Sequence, residues 1–145
     1  MGNALKSLIR INHMQRQLTE KKIKDLRYKK TQIETEISGI QVKMNVAEQT
    51  VYEKPTGPHP HMDVLNVLQW KSIQTKKIEI LKLAIVDLER QQSTLKNDMC
   101  QLIIQKQTFD KALLKEAKSR NLAQEKAQDE SNNAIWQQRN RYASK

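Results

Sequence analysis

Apolar residues recur along this chain in alternating steps of four and three, the spacing that lines one face of an α-helix. In the N-terminal half Ile33, Ile37, Ile40, Met44, Ala47 and Val51 keep that rhythm, and Ile23 and Leu26 extend it backward with Lys30 as a polar interruption. Farther upstream the phase slips, and Ile11, Met14 and Leu18 read as a separate run. Toward the C-terminus a single phase holds longer, through Val64, Val67, Lys71, Gln74, Ile78, Leu81, Ile85, Leu88, Gln92, Leu95, Met99, Leu102, Lys106, Phe109 and Leu113. Such a pattern with charged flanks is the sequence form of a coiled coil, and its period implies left-handed supercoiling.

A stretch that no helix can cross separates the two runs. All three prolines (Pro55, Pro58 and Pro60) and Gly57 lie between Tyr52 and Asp63. Each proline lacks a backbone donor and restricts the residue before it. The pattern thus predicts a first arm over about 4–51, a turn over 52–62 and a second arm over about 63–141. Fully helical arms would be roughly 70 Å and roughly 115 Å long at the standard rise. A stripe this narrow leaves a lone helix with its apolar strip wet, so each arm needs a partner.

The other arm is the nearest partner. The expected fold is therefore all-α: a long antiparallel two-helix coiled-coil hairpin with a Pro-rich tip, one domain over 1–145. The chain would be a monomer by itself, with an intermolecular dimer as the alternative. Val51 would face about Asp63 and Ala4 about Asp110, leaving a C-terminal overhang from about residue 111. Beyond Leu113 the large apolar residues thin out to Leu122, Ile135 and Trp136, as an unpaired segment would have them.

Composition narrows the function. Apolar residues are 37% and aromatic residues 4%, with three glycines, too few for a turn-rich sheet enzyme with a thick core. The single cysteine, Cys100, excludes a disulfide scaffold and reads as a small apolar residue near the seam. No apolar run is long enough for a membrane helix or a secretory signal, so a cytoplasmic location is expected. His59 and His61 flank Pro60 with no cysteine or carboxylate to complete a ligand set, and no glycine-rich phosphate loop exists. The reading is a non-enzyme with no metal and no cofactor.

The formal charge of +10 is unevenly spread. Residues 1–30 carry Lys6, Arg10, Arg16, Lys21, Lys22, Lys24, Arg27, Lys29 and Lys30 against Glu20 and Asp25. Lys106, Lys111, Lys115, Lys118 and Arg120 follow late in the second arm, and antiparallel pairing would gather both sets at the end with the termini. Such a cluster suits either a protein with an acidic channel or nucleic acid. No zinc, recognition-helix or stacking-aromatic module accompanies it for the latter. Trp70 stands off the seam near the tip, either as a contact anchor or folded over the turn.

These features together resemble the central stalk proteins of type III secretion and flagellar export, the YscO/FliJ family. The resemblance rests on the basic, apolar opening Ser7-Leu8-Ile9-Arg10-Ile11 through Gln15-Arg16-Gln17-Leu18 and on the block from Val67 to Leu81. It implies a role as the shaft within the hexameric export ATPase, promoting ring assembly and hydrolysis and linking the ring to the cytosolic ring of the export gate. Secretion chaperones are further partners it admits. It implies ATPase contacts at Arg10, Arg16, Lys21, Lys22, Lys115, Lys118 and Arg120, and gate contacts at Trp70, Ile73, Gln74 and Lys77. The alternative is a basic coiled coil that binds nucleic acid or serves as a scaffold or chaperone.

Overall fold

The computed structural model describes residues 2–53 and 60–143. They form two helices, α1 (Gly2–Glu53) and α2 (Pro60–Ala143), which pack against each other. There is no strand among the described residues. Pro55, Gly57, Pro58 and His59, and with them most of the predicted turn, lie outside the described residues. Pro60 opens α2, a position where its missing donor costs nothing. Asp63 in the first turn and Arg141 in the last complement the helix dipole.

The chain divides into two compact units, Gln17–Cys100 and Met1–Arg16 with Gln101–Lys145. In the first of these, the positions with 4-3 spacing are the ones withdrawn from solvent. Leu26, Ile37, Met44 and Ile78 are buried, and the remaining apolar seam residues are half-buried. Ile37, Met44 and Ile78 form a cluster against which Ile33, Ile40, Trp70, Leu81 and Ile85 pack. Covering one such side chain fully contributes about 1.5–3 kcal/mol. The helices run in opposite directions here: Lys30 of α1 reaches Glu89, whereas Glu48, farther along α1, meets Lys71, earlier in α2.

Those lysines explain how charge survives inside the stripe. Lys30 and Lys71 are only partly covered, and each extends its ammonium to a carboxylate of the other helix, at 3.1 and 3.0 Å. With both partners partly solvated, each pair is worth at most about 1 kcal/mol. Gln92 is buried in the same seam. On the outer surface of α1, Gly39 has nothing within 4 Å of the place a Cβ would occupy.

In the other unit, the 4-3 spacing continues through Leu5, Ile9, Asn12 and Arg16 of α1 and Leu102, Lys106, Phe109 and Leu113 of α2, all buried or half-buried. This corrects the sequence expectation of a phase slip. Ile11, Met14 and Leu18 form no inward run; they are 50%, 60% and 55% exposed. The rhythm does not break: its inward positions become polar. Asn12 is 2% exposed and holds its place by donating from Nδ2 to the Leu102 carbonyl and to Gln105 Oε1, each at 2.9 Å. Arg16 Nε donates to Asn12 Oδ1 at 2.9 Å. A buried amide with both ends satisfied is tolerated where an unpaired one is costly.

Candidate interaction surfaces

The basic residues expected to contact an ATPase fall into both units. Arg10, Lys115, Lys118 and Arg120 are exposed in the unit holding the terminal segments, and Lys21 and Lys22 are exposed in the unit spanning 17–100. Arg16 differs from the rest. Its side chain is half-buried and tied to Asn12, so it supports the seam and presents less charge to solvent than its neighbours. Glu20 and Lys24 sit 3.8 Å apart, the surface pair their spacing predicts. Glu116 and Arg120, at the same spacing, form no ion pair among the described residues.

The second expected surface is one face of α2. Trp70, Ile73, Gln74 and Lys77 occupy adjacent turns, but they are not equally available. Trp70 is half-buried against the Ile37, Met44 and Ile78 cluster, and Gln74 is half-buried at a seam position. Ile73, 56% exposed, and Lys77 face solvent. An indole beside a narrow seam buries a large apolar area where two helices alone leave a gap. The signal for this was present in the spacing, because Trp70 lies four residues before Gln74 and flanks the stripe.

Two features escaped sequence reasoning. The first is the Asn12, Arg16 and Gln105 network, invisible to a pattern that counts only apolar residues. The second is an open groove of about 480 Å³ with Leu26 and Leu95 at its floor and Lys22, Asp25, Lys29, Gln91 and Thr94 at its rim. Cys100 is exposed, not set near the seam as an apolar filler, because it follows Met99, the residue that takes the inward position. No group of three or more His, Cys, Asp or Glu side chains is placed to hold a metal among the described residues. No helix among them is long and apolar enough to cross a membrane.

Beyond Ala117 the character of α2 changes. Glu116 and Ala117 are its last half-buried positions, and Glu116 Oε1 lies 3.4 Å from where a Cβ on Gly2 would be. Residues 118–143 are helical and exposed throughout. Comparison with known protein families, curated proteins and solved structures finds no match. The functional reading therefore stands on the residues themselves.

Proposed function

We propose that this chain is the non-enzymatic central stalk of a type III protein export apparatus, an antiparallel coiled-coil hairpin with a Pro-rich tip that acts as a shaft in a hexameric export ATPase. In this reading its basic terminal segments enter the ATPase pore, promote ring assembly and hydrolysis, and link the ring to the cytosolic ring of the export gate. It works at the cytosolic face of the apparatus and is a monomer when isolated.

The observation that carries the reading is the stretch 118–143, a helical segment with every residue exposed and no cover from α1. A segment of that kind lacks the packing that stabilises most helices, so it suits a role completed by a partner. The charge supports the same end: residues 1–16 and 101–145 carry twelve Lys or Arg against five Asp or Glu. Acidic pore loops would hold such a surface through many salt-sensitive contacts. The gate would meet α2 through Ile73 and Lys77, with Trp70 and Gln74 supporting that face from the seam side.

The test is to mix the protein with a hexamer-forming export ATPase and follow hydrolysis and ring assembly. Stimulation is expected, and the Lys115→Glu, Lys118→Glu and Arg120→Glu triple variant should reduce it at least tenfold while leaving gate binding intact. Ile73→Ser should show the reverse. An unaltered hydrolysis rate alongside tight, salt-dependent binding to RNA would replace the stalk with a nucleic-acid-binding protein, for which the same basic residues supply the phosphate contacts.

A further inference from the structure

The N-terminal stretch of α1 is packed against the usual rule. Over residues 8–16 two of the three inward positions, those of Asn12 and Arg16 after Ile9, are polar, while three large apolar side chains lie outside the seam. Asn12 is 2% exposed and Arg16 is half-buried, whereas Leu8, Ile11 and Met14 are 47%, 50% and 60% exposed. Turning the helix by a single residue position would bring Ile11 to the place of Asn12. The hydrogen bonds from Asn12 to Leu102 and Gln105 hold the helix in the other orientation, and the Arg16 bond within α1 orients the Asn12 amide. Isolated breaches of binary patterning of this kind concentrate where a protein does something besides fold.

Leu8, Ile11 and Met14 follow one another at intervals of three, so they form one slanting ridge on the helix surface. A ridge of this spacing fits the groove of another helix. The charge around it specifies which helix. There is no Asp or Glu before Glu20, and Lys6 and Arg10 stand beside the ridge. The first turn of α1 has no acidic residue, although a helix N-terminus favours one. An apolar ridge whose own helix carries only basic charge through residue 19, with Asp110 and Glu116 on the α2 segment of the same unit outnumbered by lysines and arginines, complements an apolar stripe bordered by carboxylates.

We infer that the Leu8, Ile11 and Met14 ridge of α1 is a docking surface for an acidic amphipathic helix of a partner protein, and that the Asn12 network keeps the ridge facing outward to receive it. This assignment does not depend on the stalk reading, because it needs no ATPase and uses apolar residues that reading leaves idle. An anionic lipid surface is the competing occupant. It is disfavoured by the narrowness of the ridge and by the absence of Trp or Phe among residues 1–20, whereas interfacial helices carry broad apolar faces with such residues.

The probe is a fluorescein-labelled synthetic helix with leucine at heptad positions a and d and glutamate at e and g, titrated with the full chain and read by anisotropy. Saturable binding is expected. Ile11→Ser with Met14→Ser should weaken it at least tenfold without loss of far-UV helicity, since both side chains are exposed. Arg10→Glu should weaken it several-fold and flatten its salt dependence, and the probe with lysine at e and g should not bind. Absence of binding by the acidic probe, or equal binding by the serine variant, overturns the assignment. So does association with phosphatidylglycerol vesicles in place of the probe, which gives the ridge to lipid.

Discussion

Asn12 shows how one residue can override a periodic pattern. Its amide is nearly sealed from solvent, and each of its ends is engaged. Asn12→Ala removes the partner of Arg16 and Gln105 and should cost about 1–3 kcal/mol of unfolding free energy, measured by urea denaturation. Asn12→Leu should cost less than the alanine variant, because its side chain refills the space while the released Arg16 and Gln105 groups, half-buried and exposed, can turn to water. What the leucine variant loses is discrimination between neighbouring registers, the use to which buried polar seam residues are best suited. Periodicity missed Asn12 for a physical reason: it scores transfer to an apolar phase and is blind to a satisfied hydrogen-bond set. The same blindness makes Ile11, Met14 and Leu18 look like a seam of their own.

At the scale of the helix, the 4-3 rhythm was sufficient. From Ile23 to Val51 and from Val64 to Leu113, each residue assigned to the inward phase is buried or half-buried, the lysines included. Spacing does this well because a two-helix seam admits only one strip from each helix. A pair of neighbours in α2 tests the point. Ile78 is 8% exposed and Ile80 is 66% exposed. Ile78→Ala should therefore destabilise by about 2–4 kcal/mol, whereas Ile80→Ala should stay within about 0.5 kcal/mol, both read from chemical denaturation. Gly39 is the opposite case. Alanine fits there without contact, so Gly39→Ala should stabilise by about 0.5–1 kcal/mol through its better helix propensity. Ending the chain after Ala117 removes only exposed positions among the described residues and should leave the midpoint of the seam's melting unchanged, while it abolishes ATPase stimulation in the proposed role.

For the molecule as a whole, charge was readable from the sequence and its consequences were not. Counting Lys and Arg locates the basic excess in the terminal segments, yet it cannot tell that Arg16 is committed to Asn12 while Arg10 is free to meet a partner. Likewise Trp70 was legible as an aromatic outside the strict stripe, but its packing against the Ile37, Met44 and Ile78 cluster depends on α1. These distinctions set expectations for experiment. Raising salt should weaken binding through Arg10, Lys115 and Lys118 far more than it loosens the Ile37, Met44 and Ile78 cluster, since exposed charges are screened and apolar burial is not.

The polar makeup of the seam around Asn12, Arg16, Lys106 and Glu116 also bears on how the protein breathes. Their apolar neighbours Leu5, Ile9, Leu102, Phe109 and Leu113 are only half-covered, so these turns part and close at smaller cost than the stretch around Ile37 and Ile78, where those two isoleucines are buried. Deuterium uptake should consequently be fastest in residues 2–16 and 101–143 and slowest about the isoleucines, so the termini would be the place where a newcomer finds the chain already ajar.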